Sequence, residues 1–311
     1  MSDYADHIQE FISICDELMP GEYHKFSVTK QREMYENLAK RFEPKDKKDN
    51  VEVVDINYLL NNENKKFRIY KNKNFVHKNN GVVFYIRGGG FVLGSLNTHD
   101  YLMLDICIET GMTVIAPDFR LAPEYPYPAS LNDCLDIYKY VIANNKALGL
   151  NCDEYIISGD SSGANMAVVL CMMIRDCNYK QFKAQVLFNP VLDFSRWVNG
   201  GDDAPLLTSG EMEFYTKCYV NDNNVYSDYI SPLINKNFNK LPPAYIMAAE
   251  MDSLKEDSLI YFNELCNVNI KAEVVVEKGL VHGSIRARYM SDAACLAFKK
   301  ACKKMISLNE L

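Results

Sequence analysis

No apolar run in this sequence approaches the roughly 20 residues that a membrane-spanning helix needs. The first ten residues lack the basic start and apolar middle of a signal peptide; Asp3, Asp6 and Glu10 stand there instead. Internal repeats, Gly/Ser linkers and Pro-rich linkers are also missing. The ten cysteines form no Cys-x-x-Cys pair and have no histidine near them at zinc spacing. Neither a disulfide scaffold nor a structural zinc site is therefore expected, and the thiols read as free groups of a reducing, cytoplasmic compartment. Positive charge is not in surplus: 34 Lys and Arg stand against 41 Asp and Glu, a formal net charge of −7. Such a surface repels phosphate backbones, which argues against general nucleic-acid binding.

What is present is an ordinary globular composition, 48% hydrophobic and 24% charged. A length of 311 residues suits one large domain with an insertion, or two ordinary domains. Apolar residues at Ile8, Phe11, Ile12 and Cys15 have helical spacing, and a charge-dense stretch, 41–49, follows as a solvated loop. Eight strands are expected at 51–59, 67–70, 82–86, 113–116, 155–158, 186–188, 244–248 and 272–276, the first two joined by a turn at 61–64. Most of the later ones are unbroken apolar runs, as in parallel strands buried on both faces. Helical patterns lie between them: a helix capped by Asn97 or Thr98 and stopped by Gly111, then 128–143, 162–175, 253–266 and 292–306. Alternation of this kind predicts an α/β fold with a mainly parallel sheet. Residues 192–241 break the alternation, although Thr208-Ser209-Gly210-Glu211 has the form of a capping box before a helix. Together with residues 1–49 they are expected to cap one end of the sheet, leaving 50–311 as the main domain. The strand at 272–276 is expected at a sheet edge, and an exposed edge invites pairing with a second copy into a homodimer.

Four segments carry chemistry. Tyr155-Ile156-Ile157-Ser158 leads into Gly159-Asp160-Ser161-Ser162-Gly163 and then into a helix. This is strand, G-x-S-x-G, helix, the form of a nucleophile elbow, in which the serine sits on a strained turn and its neighbours two residues away must be tiny. Only Ser161 has glycine on both sides at that distance. Ser162 follows, where its backbone N–H faces an oxyanion. Arg87-Gly88-Gly89-Gly90 also follows a strand, and its glycines permit positive φ and close backbone approach. A glycine loop here can offer N–H groups to a tetrahedral intermediate. Asp252 follows the strand 244–248, and His282 follows 272–276. The chain order Ser161, Asp252, His282 is that of an α/β-hydrolase triad. Asp257 is a rival acid, but it falls within the next helix. Of the remaining histidines, His7, His24, His77 and His99, none follows a late strand; His99 is the nearest to the glycine loop and is a candidate substrate contact.

On these motifs the sequence resembles the hormone-sensitive-lipase-like branch of the α/β-hydrolases, and within it bacterial acetyl-esterase-like proteins. The likeness runs over about residues 50–305 and includes Asp118-Phe119-Arg120-Leu121-Ala122-Pro123-Glu124 and Ser231-Pro232-Leu233. It implies an eight-stranded sheet, a helical cap and a carboxylesterase acting on short acyl esters without metal or cofactor. It implies Ser161 as nucleophile, His282 as base, Asp252 as orienting acid, and Gly89, Gly90 and Ser162 as oxyanion donors. An amide, N-formyl or N-acetyl hydrolase would use the same triad. A non-catalytic binding protein is the remaining alternative, as in the plant gibberellin receptors, which resemble this branch but lack the catalytic histidine. Arg87 is a departure, since histidine normally opens the glycine motif. Arginine can donate hydrogen bonds but cannot accept them, so the loop is expected to be held differently or shifted, with its backbone donors intact.

Overall fold

The turn at Asn61-Asn62 sets the first pair of strands. The computed structural model describes residues 3–44, 49–75, 81–150, 152, 154–198, 200–235 and 237–310. Strands β1 (Val51–Leu60) and β2 (Glu63–Asn72) form an antiparallel hairpin with Leu60 opposite Glu63. Both loop residues have positive φ, 51° and 64°. That combination matches the right-handed twist of the strands, and asparagine tolerates it. The other strands are β3 (Val82–Ile86), β4 (Thr113–Asp118), β5 (Tyr155–Asp160), β6 (Ala184–Phe188), β7 (Ala244–Met251) and β8 (Ala272–Val281). They complete an eight-stranded sheet in the order β1-β2-β4-β3-β5-β6-β7-β8. Only the β1–β2 and β2–β4 pairs are antiparallel. Every expected strand is present, and β8 lies at an edge.

Nine helices are described. Helices α1 (Ile8–Leu18) and α2 (Val28–Arg41) precede the sheet. Helices α3 (Asp100–Thr110), α4 (Ala129–Ala143), α5 (Ser162–Asp176), α6 (Ser209–Val220), α7 (Pro232–Asn235), α8 (Lys255–Asn267) and α9 (Asp292–Asn309) follow. Helices α3 and α9 pack on each other, and α4 packs on α5, so the strands between them are covered on both faces. All residues of β3 and β6 are accordingly buried. This burial explains why these strands read as continuous apolar runs and not as alternating ones. No described helix is long and apolar enough to cross a membrane.

Two local expectations differ from the structure. The turn before α3 is capped by Ser95, whose Oγ accepts the N–H groups of Asn97 and Thr98 at 3.2 and 3.4 Å. The cap therefore lies upstream of Asn97 and Thr98, because a short 3-10 turn precedes α3. Gly111 does end that helix, in the left-handed conformation. Strands β7 and β8 also run further than their apolar cores, to Met251 and Val281, with an irregularity that pairs Met251 with Val281. Asp252 and His282 thus leave two adjacent strands side by side.

Candidate active site

Strand β5 enters a turn at Ser161, which has φ 53° and ψ −119°, a conformation most side chains avoid. Its N–H is held by the Phe188 carbonyl at 2.9 Å. The flanking glycines are sterically required. A β-carbon on Gly159 would lie 2.6 Å from the carbonyl oxygen of Ile86, and one on Gly163 would collide with that same oxygen and lie 2.5 Å from that of Arg87. Helix α5 can therefore start directly against the end of β3 only if both positions lack a side chain.

Three sequence-predicted residues meet here. His282 Nε2 lies 3.1 Å from Ser161 Oγ, and His282 Nδ1 lies 2.7 Å from Asp252 Oδ2. The other oxygen of Asp252 accepts the Leu254 N–H at 2.9 Å. The Asp252 side chain is almost wholly buried, and that of His282 is only 13% exposed. Burial opposes a charge on the imidazole, but the Asp252 carboxylate, with further help from Asp160 and Glu211, outweighs it and raises the His282 pKa above the ordinary histidine value.

Gly89, Gly90 and Ser162 border the same cavity, of about 190 Å³, as Ser161 and His282. Among the described residues none of their three N–H groups donates a hydrogen bond. Gly89 and Gly90 have positive φ, 121° and 60°. Ser162 is the first residue of α5, where amide N–H groups and the helix dipole favour an anion.

Arg87 is buried and does not border this cavity. Its Nη1 donates to the carbonyl of Leu93 at 2.8 Å, and its guanidinium lies over the Phe119 ring at 4.4 Å. It ties the glycine loop from behind through carbonyl groups, as expected of a residue that can only donate. The acceptor role falls to Asp160, whose Oδ1 receives the Gly88 N–H and the Tyr85 hydroxyl, both at 2.9 Å. Asp160 stands inside the G-x-S-x-G motif and its adjacency to Ser161 was visible there, but its partner on the other loop was not. Replacing Arg87 with His should bring no large gain in activity. A missing oxyanion donor costs on the order of 10²–10³ in rate, so a gain of that size in Arg87→His would mean that the native loop is misplaced.

The family model for the alpha/beta hydrolase fold matches residues 83–286. The chain belongs to the alpha/beta hydrolase family. It is similar to Esterase LipI of Mycobacterium tuberculosis, 30% identical over 66% of this chain and 65% of the relative. It is also similar to Carboxylesterase NlhH of the same organism, 31% identical over 71% of this chain and 72% of the relative. The chain spans 60% to 72% of the length of the curated relatives it matches first. A solved structure of an esterase of Pyrobaculum calidifontis superposes with a TM-score of 0.82 at 28% identity, over 91% of this chain and 94% of that one. These relatives place the chain in the hormone-sensitive-lipase-like branch.

The other expected site residues fall elsewhere in the chain. Asp257 is buried in α8 and accepts the N–H groups of Leu192 and Asp193 and an Arg196 donor, the shortest at 2.6 Å. It anchors the chain as it leaves β6 and is not the partner of His282. Burial, only partly offset by Arg196, pushes its pKa up to about 7. His99 borders the cavity, but its Nδ1 bonds to Thr98 Oγ1 at 2.9 Å and its Nε2 faces Asp160 at 3.5 Å. Burial pushes its pKa down to about 4, so it is neutral near pH 7. His7 is exposed at the N-cap of α1, His24 lies beside Gly210, and His77 is outside the described residues. Tyr23, Tyr35, Tyr215 and Arg286 also border the cavity. No local motif marks them, because each reaches the site through tertiary packing. Among the described residues no group of three or more His, Cys, Asp or Glu is placed to hold a metal ion.

Proposed function

We propose that this protein is a serine carboxylesterase that hydrolyses small, neutral, short-chain acyl esters. The observation that carries this reading is the Asp252–His282–Ser161 hydrogen-bond chain, beside a cavity bordered by Gly89, Gly90 and Ser162, whose N–H groups have no acceptor among the described residues. Ser161 Oγ attacks the ester carbonyl carbon as its proton passes to His282 Nε2. Asp252 holds the Nδ1–H tautomer and favours the imidazolium. The N–H groups of Gly89, Gly90 and Ser162 receive the negative oxygen of the tetrahedral intermediate. His282 returns the proton to the leaving alkoxide, the C–O bond breaks, and an acyl-Ser161 remains. Water, losing a proton to the same imidazole, then attacks that acyl group and restores the serine.

Residues 1–49 and 192–241 act as the cap in this reading. Phe11, Cys15 and Leu38 from the first segment and Leu207, Met212 and Tyr215 from the second border the cavity, which supports that role. The acidic net charge favours neutral esters over anionic ones.

A fluorophosphonate probe tests the reading directly. It should label Ser161 stoichiometrically, and p-nitrophenyl acetate should give a burst of nitrophenol equal to the enzyme when deacylation is the slower stage. An unlabelled, inert protein would be a binding protein on this fold. The pH profile provides an independent check. The neutral imidazole is the active form, so activity falls as pH drops through the His282 pKa. That acid limb should lie above the ordinary histidine value. Asp252→Asn removes the charge that raises it, so the limb should move to lower pH while kcat falls by about 10⁴. A limb that stays in place would show that Asp252 does not govern His282.

A further inference from the structure

Helix α6 presents one face to the glycine loop. Its first turn is fixed by a capping box, in which Thr208 N–H donates to Glu211 Oε2 at 2.6 Å. One turn on, the Tyr215 ring lies so close to Gly90 that a β-carbon there would sit 2.5 Å from the ring carbons. After another turn, Tyr219 stacks on Phe91 with ring centroids 3.5 Å apart. The far end of the Tyr215 ring is also fixed, since its hydroxyl meets that of Tyr23 at 2.5 Å. Tyr23 belongs to the N-terminal segment, so the bond crosses between the two segments above the sheet. Both tyrosines are buried and both border the cavity. The ring is thus a rigid wall against one of the three residues proposed as oxyanion donors.

We infer that Tyr215 is the residue that limits acyl-chain length, with Tyr23 as the positioning residue that holds its ring in place. This rests on the serine esterase reading. The leaving oxygen must lie at His282 Nε2, which protonates it. The oxyanion must lie at the N–H groups of Gly89, Gly90 and Ser162. The acyl chain is the remaining substituent of the tetrahedral carbon and extends away from the imidazole, along the wall that Tyr215 builds on Gly90. A ring held at both ends cannot yield to additional methylenes, so long chains are excluded by contact and not by a lack of apolar surface. Phe91, Val191, Phe194 and Leu206 border the same cavity and would otherwise welcome them.

The test is a panel of p-nitrophenyl acetate, butyrate and octanoate, read as ratios of kcat/KM. Tyr215→Leu should raise the octanoate-to-acetate ratio by about ten-fold or more, the scale on which a few methylenes are discriminated in a fixed pocket. Tyr215→Trp should move the butyrate-to-acetate ratio the opposite way, which keeps the inference testable if the smaller variant fails to fold. Ratios that stay within about two-fold of native in either folded variant overturn it. So does a shift confined to a series of acetate esters with lengthening alcohols, which would put Tyr215 on the leaving-group side. Fluorophosphonate labelling of Ser161 is run beside the panel. A labelled enzyme with unmoved ratios defeats the inference alone, and a native chain that neither labels nor turns over defeats the esterase reading and the inference with it.

Discussion

Ser161→Ala should reduce ester hydrolysis by about 10⁴-fold or more while leaving thermal stability within roughly 0.5 kcal/mol of native. The two halves of this result have separate causes. The turn is held by the backbone, through the Ser161 N–H on the Phe188 carbonyl and through the close contact of Gly159 and Gly163 with β3. The hydroxyl contributes one hydrogen bond, to a histidine that keeps its stronger link to Asp252. Removing it deletes the proposed nucleophile and little else. His282→Ala should cost a similar factor, because neither group acts without the other, and the double variant should be scarcely slower than either single one. Rates from purified variants with p-nitrophenyl acetate check this. Two losses that multiply would mean that Ser161 and His282 work independently, and the proposed mechanism would fail. A Ser161→Ala variant that still turns over would place the nucleophile elsewhere.

The residues that form this site were legible in the sequence where chemistry and backbone geometry coincide. Gly159 and Gly163 announce the elbow because no other residue fits there, and the order of Ser161, Asp252 and His282 follows from the succession of parallel strands. The eight strands were legible because burial on both faces leaves little besides apolar residues. Strand ends were less so. Glu250, Lys278 and Gly279 interrupt the apolar runs of β7 and β8, yet both strands continue, because the Glu250 carboxylate accepts the Gly279 N–H at 2.8 Å. That bond joins residues distant in sequence, and no local pattern encodes it. The same holds for Asp160 on the Gly88 N–H and for Tyr23 on Tyr215. Asp257 shows the converse. Its carboxylate made it a credible acid in the sequence, but its place within α8 turns it toward Leu192 and Asp193 and away from the imidazole.

Gly163→Ala is the smallest substitution with a large expected effect on the fold. The added methyl would meet backbone atoms of Ile86 and Arg87, which belong to a central strand and to the start of the glycine loop. Neither can swing aside as a side chain would, so either α5 must withdraw from β3 or the loop must move. Overpacking of this kind should cost about 3 kcal/mol or more, lowering the unfolding midpoint by roughly 4–5 °C or more. Gly21→Ala provides the contrast. A β-carbon there has nothing within 4 Å, and its φ is not in the left-handed region, so stability should stay within about 0.5 kcal/mol. The effect on chemistry is separable from the loss of stability. Ser161 caps α5 and Ser162 opens it, whereas Gly89 and Gly90 ride on the loop after β3, so any parting of the two elements draws the proposed nucleophile away from two of the proposed oxyanion donors. Fluorophosphonate labelling of Gly163→Ala, measured well below its midpoint where the protein is folded, should therefore be slowed by about 10²-fold, the scale of one lost oxyanion donor. Native labelling in a folded but destabilised variant would mean that the loop and the helix shift together, and that their close packing serves the fold without setting the geometry of the site.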